Sequence, residues 1–337
     1  MNLNYLFSRL VQMVVVLVGV SVLIFVLTRV LPGDPVAAAL GDRATAEQIT
    51  QLRNELGLDR PLWQQYGRFV TGLFSGNMGL SLVEKRDVSA VIAERLPATL
   101  ELIFAALFIA IVVGVPLGVL AAVNRNGVID HISRVVALFG VSFPQFWVGI
   151  MLQLLMGLAL ALLPITGRAS VPMPENITGF LTIDSLIARD FTAFGNAIRH
   201  LICPALVLAA GPLATIMRMV RANMIDEFEK PYPELARALG MHPFIINFKY
   251  VLRNAFTPTL TLIGFLIPIM IGSSFVVEKV FAWPGLARYG ADAIMANDIN
   301  GVIGITLVIC FFVVLLNLIV DLLYPIIDPR IRLGAER

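Results

Sequence analysis

Long apolar runs separated by shorter polar intervals dominate the chain. Six runs carry no charged residue: 10–28, 102–123, 135–167, 201–217, 254–277 and 300–320. A hydrocarbon core of about 30 Å takes roughly 17–25 helical residues to cross, so each run predicts a membrane-spanning helix. The third is longer than one crossing requires, and its Pro144 and Pro164 predict a kink and an end. The fourth is the shortest and contains Pro204 and Pro212. Backbone groups freed by proline inside a bilayer must find partners in protein or water, so these spans are expected to face protein or a cavity. The first run is a span rather than a cleaved leader. It exceeds the usual 7–15 apolar residues of a signal sequence, and Pro32 and Pro35 separate it from the small residues at 37–39.

Composition sharpens this picture. Of 337 residues, 58% are hydrophobic and 14% charged, with a mean hydropathy of +0.85, whereas soluble domains carry about 25% charged residues. The expected class is an all-α membrane protein with six transmembrane helices. A net charge of +2, spread along the chain, argues against nucleic acid as a partner. Cys203 and Cys310 lie in apolar runs, and His131, His200 and His242 have no ligand spacing, so no metal, disulfide or cofactor is implied. No GxSxG, HExxH or GxxxxGK[ST] motif occurs. No carboxylate falls inside the six runs either, which disfavours both an enzyme and a proton-driven carrier. Any energy must come from another subunit.

Lys and Arg in short loops set orientation. With the N-terminus inside, the cytoplasmic pieces carry twelve basic residues, from Arg9 through Arg125, Arg134 and the 218–253 group to Arg337; the two shorter outside loops carry five, Arg168, Arg189, Arg199, Lys279 and Arg288. Both termini are therefore expected in the cytoplasm. Residues 1–30 read as the first span, 31–97 as a large structured external loop, and 98–337 as a five-helix core. In the loop, Thr45 and Gln48 form a capping box for a helix from 46 that ends at Gly57, with Ile49, Leu52 and Leu56 along one face. Trp63 and Tyr66 suit the membrane interface.

Within the core, Gly114 and Gly118 stand at a spacing that lets helices approach closely. Gln145, Gln153 and Asn317 place polar groups at membrane depth, as interhelical hydrogen-bonding groups or as lining of a path. Gly264, Pro268, Gly272, Ser273 and Ser274 suit a kinked span beside a substrate path, although packing alone explains them equally. The outer segment 170–196 reads as a cap facing an external partner, with a helical patch at 183–187.

The polar interval 218–258 carries the most informative pattern. Pro233 suits the first position of a short helix and Gly240 the residue just past its end. Leu235 and Leu239 fall on one face, while Ala236 and Ala238 keep the rest of the surface small. On pattern alone this is a solvated loop or a helix wanting a partner. Glu234, Ala236 and Gly240 have the spacing of the EAA signature, and LRNAFTP at 252–258 resembles the phrase that follows it in permease subunits of ABC importers of the dipeptide, oligopeptide and nickel type. Leu235 replaces the second alanine of the signature, and Arg253 stands where the general form has proline. LRNELGLDRPLWQQYGRF, SGNMGLSL and VIAERLPATLEL in the external loop, SFPQFWVG at 142–149, EKVFAWPGLARYGADAI at 278–294 and YPIIDPRIR at 324–332 resemble the same branch.

The resemblance implies that residues 233–240, namely Glu234, Leu235, Ala236, Arg237, Ala238, Leu239 and Gly240, are the coupling helix that docks on an ATPase. It further implies a complex in the bacterial cytoplasmic membrane of two related permeases, two ATP-binding subunits and an extracytoplasmic substrate-binding protein. The cargo class is peptides, with nickel, glutathione or another small solute as alternatives. A secondary transporter or channel is a further, ATP-independent alternative, and an integral-membrane enzyme is another.

Overall fold

The computed structural model describes residues 3–30, 45, 47, 59–81 and 83–327. The helix expected at 46–57, the segment holding Pro32 and Pro35, and the C-terminal ending beyond 327 lie outside the described residues, save Glu47 of that helix. Among the described residues the secondary structure is helical: α1 (Leu3–Val30), α2 (Leu62–Phe74), α3 (Val88–Val123), α4 (Val128–Ser142), α5 (Gln145–Leu152), α6 (Leu181–Ile187), α7 (Phe191–Phe228), α8 (Pro231–Ala238), α9 (Leu252–Val280), α10 (Leu286–Met295) and α11 (Ile299–Ile327). Wider π-helical turns continue α5 over Gln153–Ala159 and lead into α9 over Ile245–Val251.

Five stretches are long and apolar enough to cross a membrane, and α4 with the α5 stretch supplies a sixth if the bent pair is one span. The bend is 103° and has a local cause. Pro144 disfavours helical geometry at the residue before it, and here Phe143 is extended (φ −86°, ψ 138°) and the helix restarts at Gln145. The fourth span departs from the run 201–217. It is a 38-residue helix, with Pro204 and Pro212 inside it. Charged Arg199, Arg218 and Arg221 ended the apolar run but do not end the helix. Asp190 starts it, its carboxylate accepting from the N–H of Thr192 and Ala193.

The chain divides into two compact units: Met1–Leu96 with Arg288–Leu315, and Pro97–Ala287 with Leu316–Arg337. In the second, α7 is the hub, packing against α4, α5, α6, α8 and α9. Small residues permit the close approaches. A Cβ at Gly114 would lie 3.0 Å from the Leu213 carbonyl oxygen, and one at Gly118 would lie 2.8 Å from that of Met217. In the first half of α3, buried Glu101 accepts from Arg168 and from the N–H and hydroxyl of Thr182. The Trp-Pro-Gly turn is held by the Trp283 indole N–H on the Ala98 carbonyl (2.9 Å) and by Thr99, whose hydroxyl accepts from Leu286 N–H and donates to buried Glu278. In the first unit, buried Asp298 takes the Ser81 hydroxyl at 2.5 Å and the Gly301 N–H at 3.0 Å, and Phe25 packs edge-on to Tyr66.

Candidate functional site

The polar interval builds its site in the second unit. Its first residues continue α7; the chain then turns at Lys230 into α8. The helix begins at Pro231 rather than Pro233. All first-turn N–H groups lack intrahelical acceptors, so either proline is tolerated, and the extended Lys230 (ψ 158°) imposed by Pro231 decides the start. The end is as the sequence predicts. Gly240 has φ +74°, its N–H donates to Arg237 O (2.9 Å), and Met241 N–H reaches back to Ala236 O (3.1 Å). This paired termination needs the left-handed residue that glycine tolerates.

Pro233 and Ala236 face the rest of the chain and are buried, whereas Glu234, Leu235, Arg237, Ala238, Leu239 and Gly240 are exposed. The anchoring is polar as well as steric. Tyr232 of α8 donates to Glu227 at the end of α7 at 2.8 Å and is hydrogen-bonded by Asn254 of the LRNAFTP phrase, so three segments meet at one phenol. Burial, and then Glu227, raise the Tyr232 phenol above its ordinary pKa, against the opposing Asn254 bond, and it stays a neutral donor. Lys230 pairs with Glu227 (2.5 Å), Asn223 donates to Ala255 O (3.1 Å), and the Arg237 guanidinium lies 5.8 Å from the centre of the Phe228 ring. A hollow of about 340 Å³ beside α8 is lined by Arg125, Phe228, Arg237, Pro243, Ile246 and Asn247 among others.

A second tie supports the end of α7. Asp130, fully buried in the first turn of α4, receives Nε and an Nη of Arg221 at 2.6 and 2.7 Å and the Asn126 N–H at 2.9 Å, with Arg134 at 3.6 Å. This fork-on-carboxylate geometry fixes α7 to α4. Sequence reasoning missed both it and Tyr232. Asp130 and Arg221 stand 91 residues apart, and only a fold can pair them.

The membrane-depth polar residues are not gathered into one cluster of mutual hydrogen bonds. Gln153 donates to Ile165 O (2.8 Å) and Val280 O (2.9 Å), tying the end of the bent pair to the end of α9. Ser273 and Ser274 bond back to Met270 O and Ile271 O in their own helix, and Ser274 is buried. Gln145 opens α5 and Asn317 sits in α11, both half-buried.

Residues 114–333 match the family model described as binding-protein-dependent transport system inner membrane component, and residues 2–103 match its companion N-terminal model. The chain belongs to this family. It is therefore the membrane permease component of an ABC-type import system, resident in the inner membrane. Similar proteins include the probable D,D-dipeptide transport system permease DdpB of Escherichia coli K12, 40% identical over 96% of both chains, and the Di/tripeptide transport system permease DppB of Pseudomonas aeruginosa, 38% identical over 98% of this chain and 99% of that one. The dipeptide transport system permease DppB of E. coli K12 is 38% identical over the same shares. Among solved structures, an inward-facing form of the MetNI methionine ABC transporter superposes with a TM-score of 0.51 at 20% identity, covering 71% of this chain and 96% of that one, a likeness of fold.

Proposed function

We propose that this permease component forms half of the translocation path for di- and oligopeptides, driven by ATP hydrolysed on separate subunits. The near-full-length similarity to permeases named for dipeptide and di/tripeptide transport carries the reading of the cargo. It favours peptides over nickel, glutathione or another small solute. The assembly is two related permeases, two ATP-binding subunits and an extracytoplasmic binding protein. Both termini lie in the cytoplasm, which puts α8 on the side where ATP is available.

In this reading α8 transmits force and performs no chemistry. Leu235 and Leu239 project from a helix held from behind by Pro233, Ala236 and Tyr232, the arrangement a groove on an ATPase would grip. Closure of the ATPases on ATP would push α8, and the Tyr232 and Asp130–Arg221 ties would pass the displacement to α7, α9 and α4, rocking the bundle between inward- and outward-open states. Gln145 and Asn317 remain the path-lining candidates. Gln153, Ser273 and Ser274 border the path with their hydrogen bonds already committed to backbone.

The test is uptake of a labelled dipeptide into proteoliposomes holding this chain, its partner permease, both ATPases and the binding protein. Uptake should require ATP and the binding protein. Uptake that persists without ATP under an ion gradient would instead make the chain a secondary carrier, and transport of nickel but no peptide would move the cargo assignment.

A further inference from the structure

The first unit contains a groove separate from α8. It has a volume of about 470 Å³ and is walled by α1, α2, the start of α3 and α11, with Leu17, Leu73, Ala93, Val308 and Phe311 among its lining residues. Its wall is almost wholly apolar, and the Ser21 and Tyr66 hydroxyls that reach it are hydrogen-bonded to each other. Ser21 donates its hydroxyl to Val18 O at 2.8 Å and stands 2.8 Å from the Tyr66 hydroxyl, which is left to donate to it. A peptide, with an N–H and a C=O at each residue, would find far too few hydrogen-bonding partners in this groove and would enter at a heavy desolvation cost. The groove is therefore unsuited to cargo.

Depth and surroundings select another occupant. Leu17 is the central residue of the spanning stretch Phe7–Leu27, and Val308 and Phe311 lie beside the centre of Ile299–Ile319. Ser21 stands four residues along α1, roughly 6 Å from that centre at 1.5 Å per residue. The groove thus runs from the bilayer midplane toward α2, an amphipathic helix whose Trp63 and Phe74 are exposed as interface anchors are. That is the depth of one leaflet. Both flanking stretches present lipid-facing surface, only 11% of each being buried within the protein, and the groove is continuous with that surface. An apolar cavity of this kind stays dry and takes an apolar guest.

We propose that the groove is a binding site for one phospholipid acyl chain of the leaflet adjoining α2. The chain lies along α1 and α11 with its terminus at Leu17 and Phe311, and completes the packing of α2 on the first unit.

The probe is phosphatidylethanolamine carrying a diazirine near the end of one acyl chain, in nanodiscs holding the full importer. After photolysis, adducts mapped by mass spectrometry should be at least fivefold richer on the peptides bearing Leu73, Ala93 and Phe311 than on the lipid-facing Val14–Val15 stretch of α1. Ala93→Trp, which fills the groove, should remove the groove adducts and leave those at Val14–Val15. If Ala93→Trp fails to assemble, as judged by size exclusion, Leu73→Trp serves the same purpose from the opposite wall. Equal labelling of groove and α1 surface, or labelling unchanged by both substitutions, would each overturn the proposal.

Discussion

Removing the two exposed leucines of α8 should weaken the ATPase interaction without harming the permease itself. Leu235 and Leu239 are 62% and 73% exposed, so each has about two thirds of its surface still to bury. Complete burial of a leucine is worth about 1.5–3 kcal/mol, so docking both in a groove would gain about 2–4 kcal/mol. Alanine retains the Cβ, which leaves an expected loss of about 2–3 kcal/mol for Leu235→Ala with Leu239→Ala, or roughly a 30- to 150-fold weaker affinity. Thermal unfolding of the isolated permease should scarcely move, since exposed positions of this kind usually change stability by under about 0.5 kcal/mol. The assay is equilibrium titration of labelled ATPase subunit onto nanodisc-embedded permease. Affinity within about threefold of the parent, with uptake unchanged, would refute the assignment of this face as the docking surface.

Gly240→Pro should abolish ATP-dependent peptide uptake while membrane insertion is retained. Proline locks φ near −65° and has no N–H, whereas Gly240 is at φ +74° and donates to Arg237 O; normal uptake by the inserted variant would count against the coupling role. Asp130→Ala strands the Arg221 guanidinium beside a buried void and should destabilise the detergent-solubilised protein by about 3–5 kcal/mol, with Asp130→Ala/Arg221→Met recovering much of the loss in a double-mutant cycle. Additive losses would show that the pair does not act as a unit. Asp184, outside the spanning stretches, offers a pH test. Burial opposes its charge, but hydrogen bonds from the Thr178 hydroxyl and N–H and the Gly179 N–H outweigh that and hold its carboxyl below the ordinary value. Its stabilisation is thus present above the unfolded carboxylate pKa of about 3.9 and is lost as pH falls through the lower folded value. Asp184→Asn should flatten the acid limb of the stability profile measured between about pH 5 and 2, and an unchanged slope would remove Asp184 from the acid response.

Pattern alone determined what local chemistry controls. Apolar runs the length of a bilayer named the spans, because water-free hydrocarbon admits only apolar helices. Pro144 announced its bend, since a proline disfavours helix at the residue before it, although α7 carries Pro204 and Pro212 without ending. Gly240 announced the end of α8, since few other residues adopt its backbone conformation. Tertiary structure decided what depends on distant partners. Helix α7 runs past Arg199, Arg218 and Arg221 because the bundle supplies a buried carboxylate, Asp130, to take one of those charges. For Gln153, Ser273 and Ser274 the sequence left path lining and packing or hydrogen bonding equally open, and only their positions revealed backbone acceptors within reach. Tyr232, silent in the sequence, ties α8 to the end of α7 and to the 252–258 phrase because folding brings Glu227 and Asn254 to the same hydroxyl. Spacing along a chain reports on neighbours a few residues away; a pairing across a hundred residues exists only once the helices are packed.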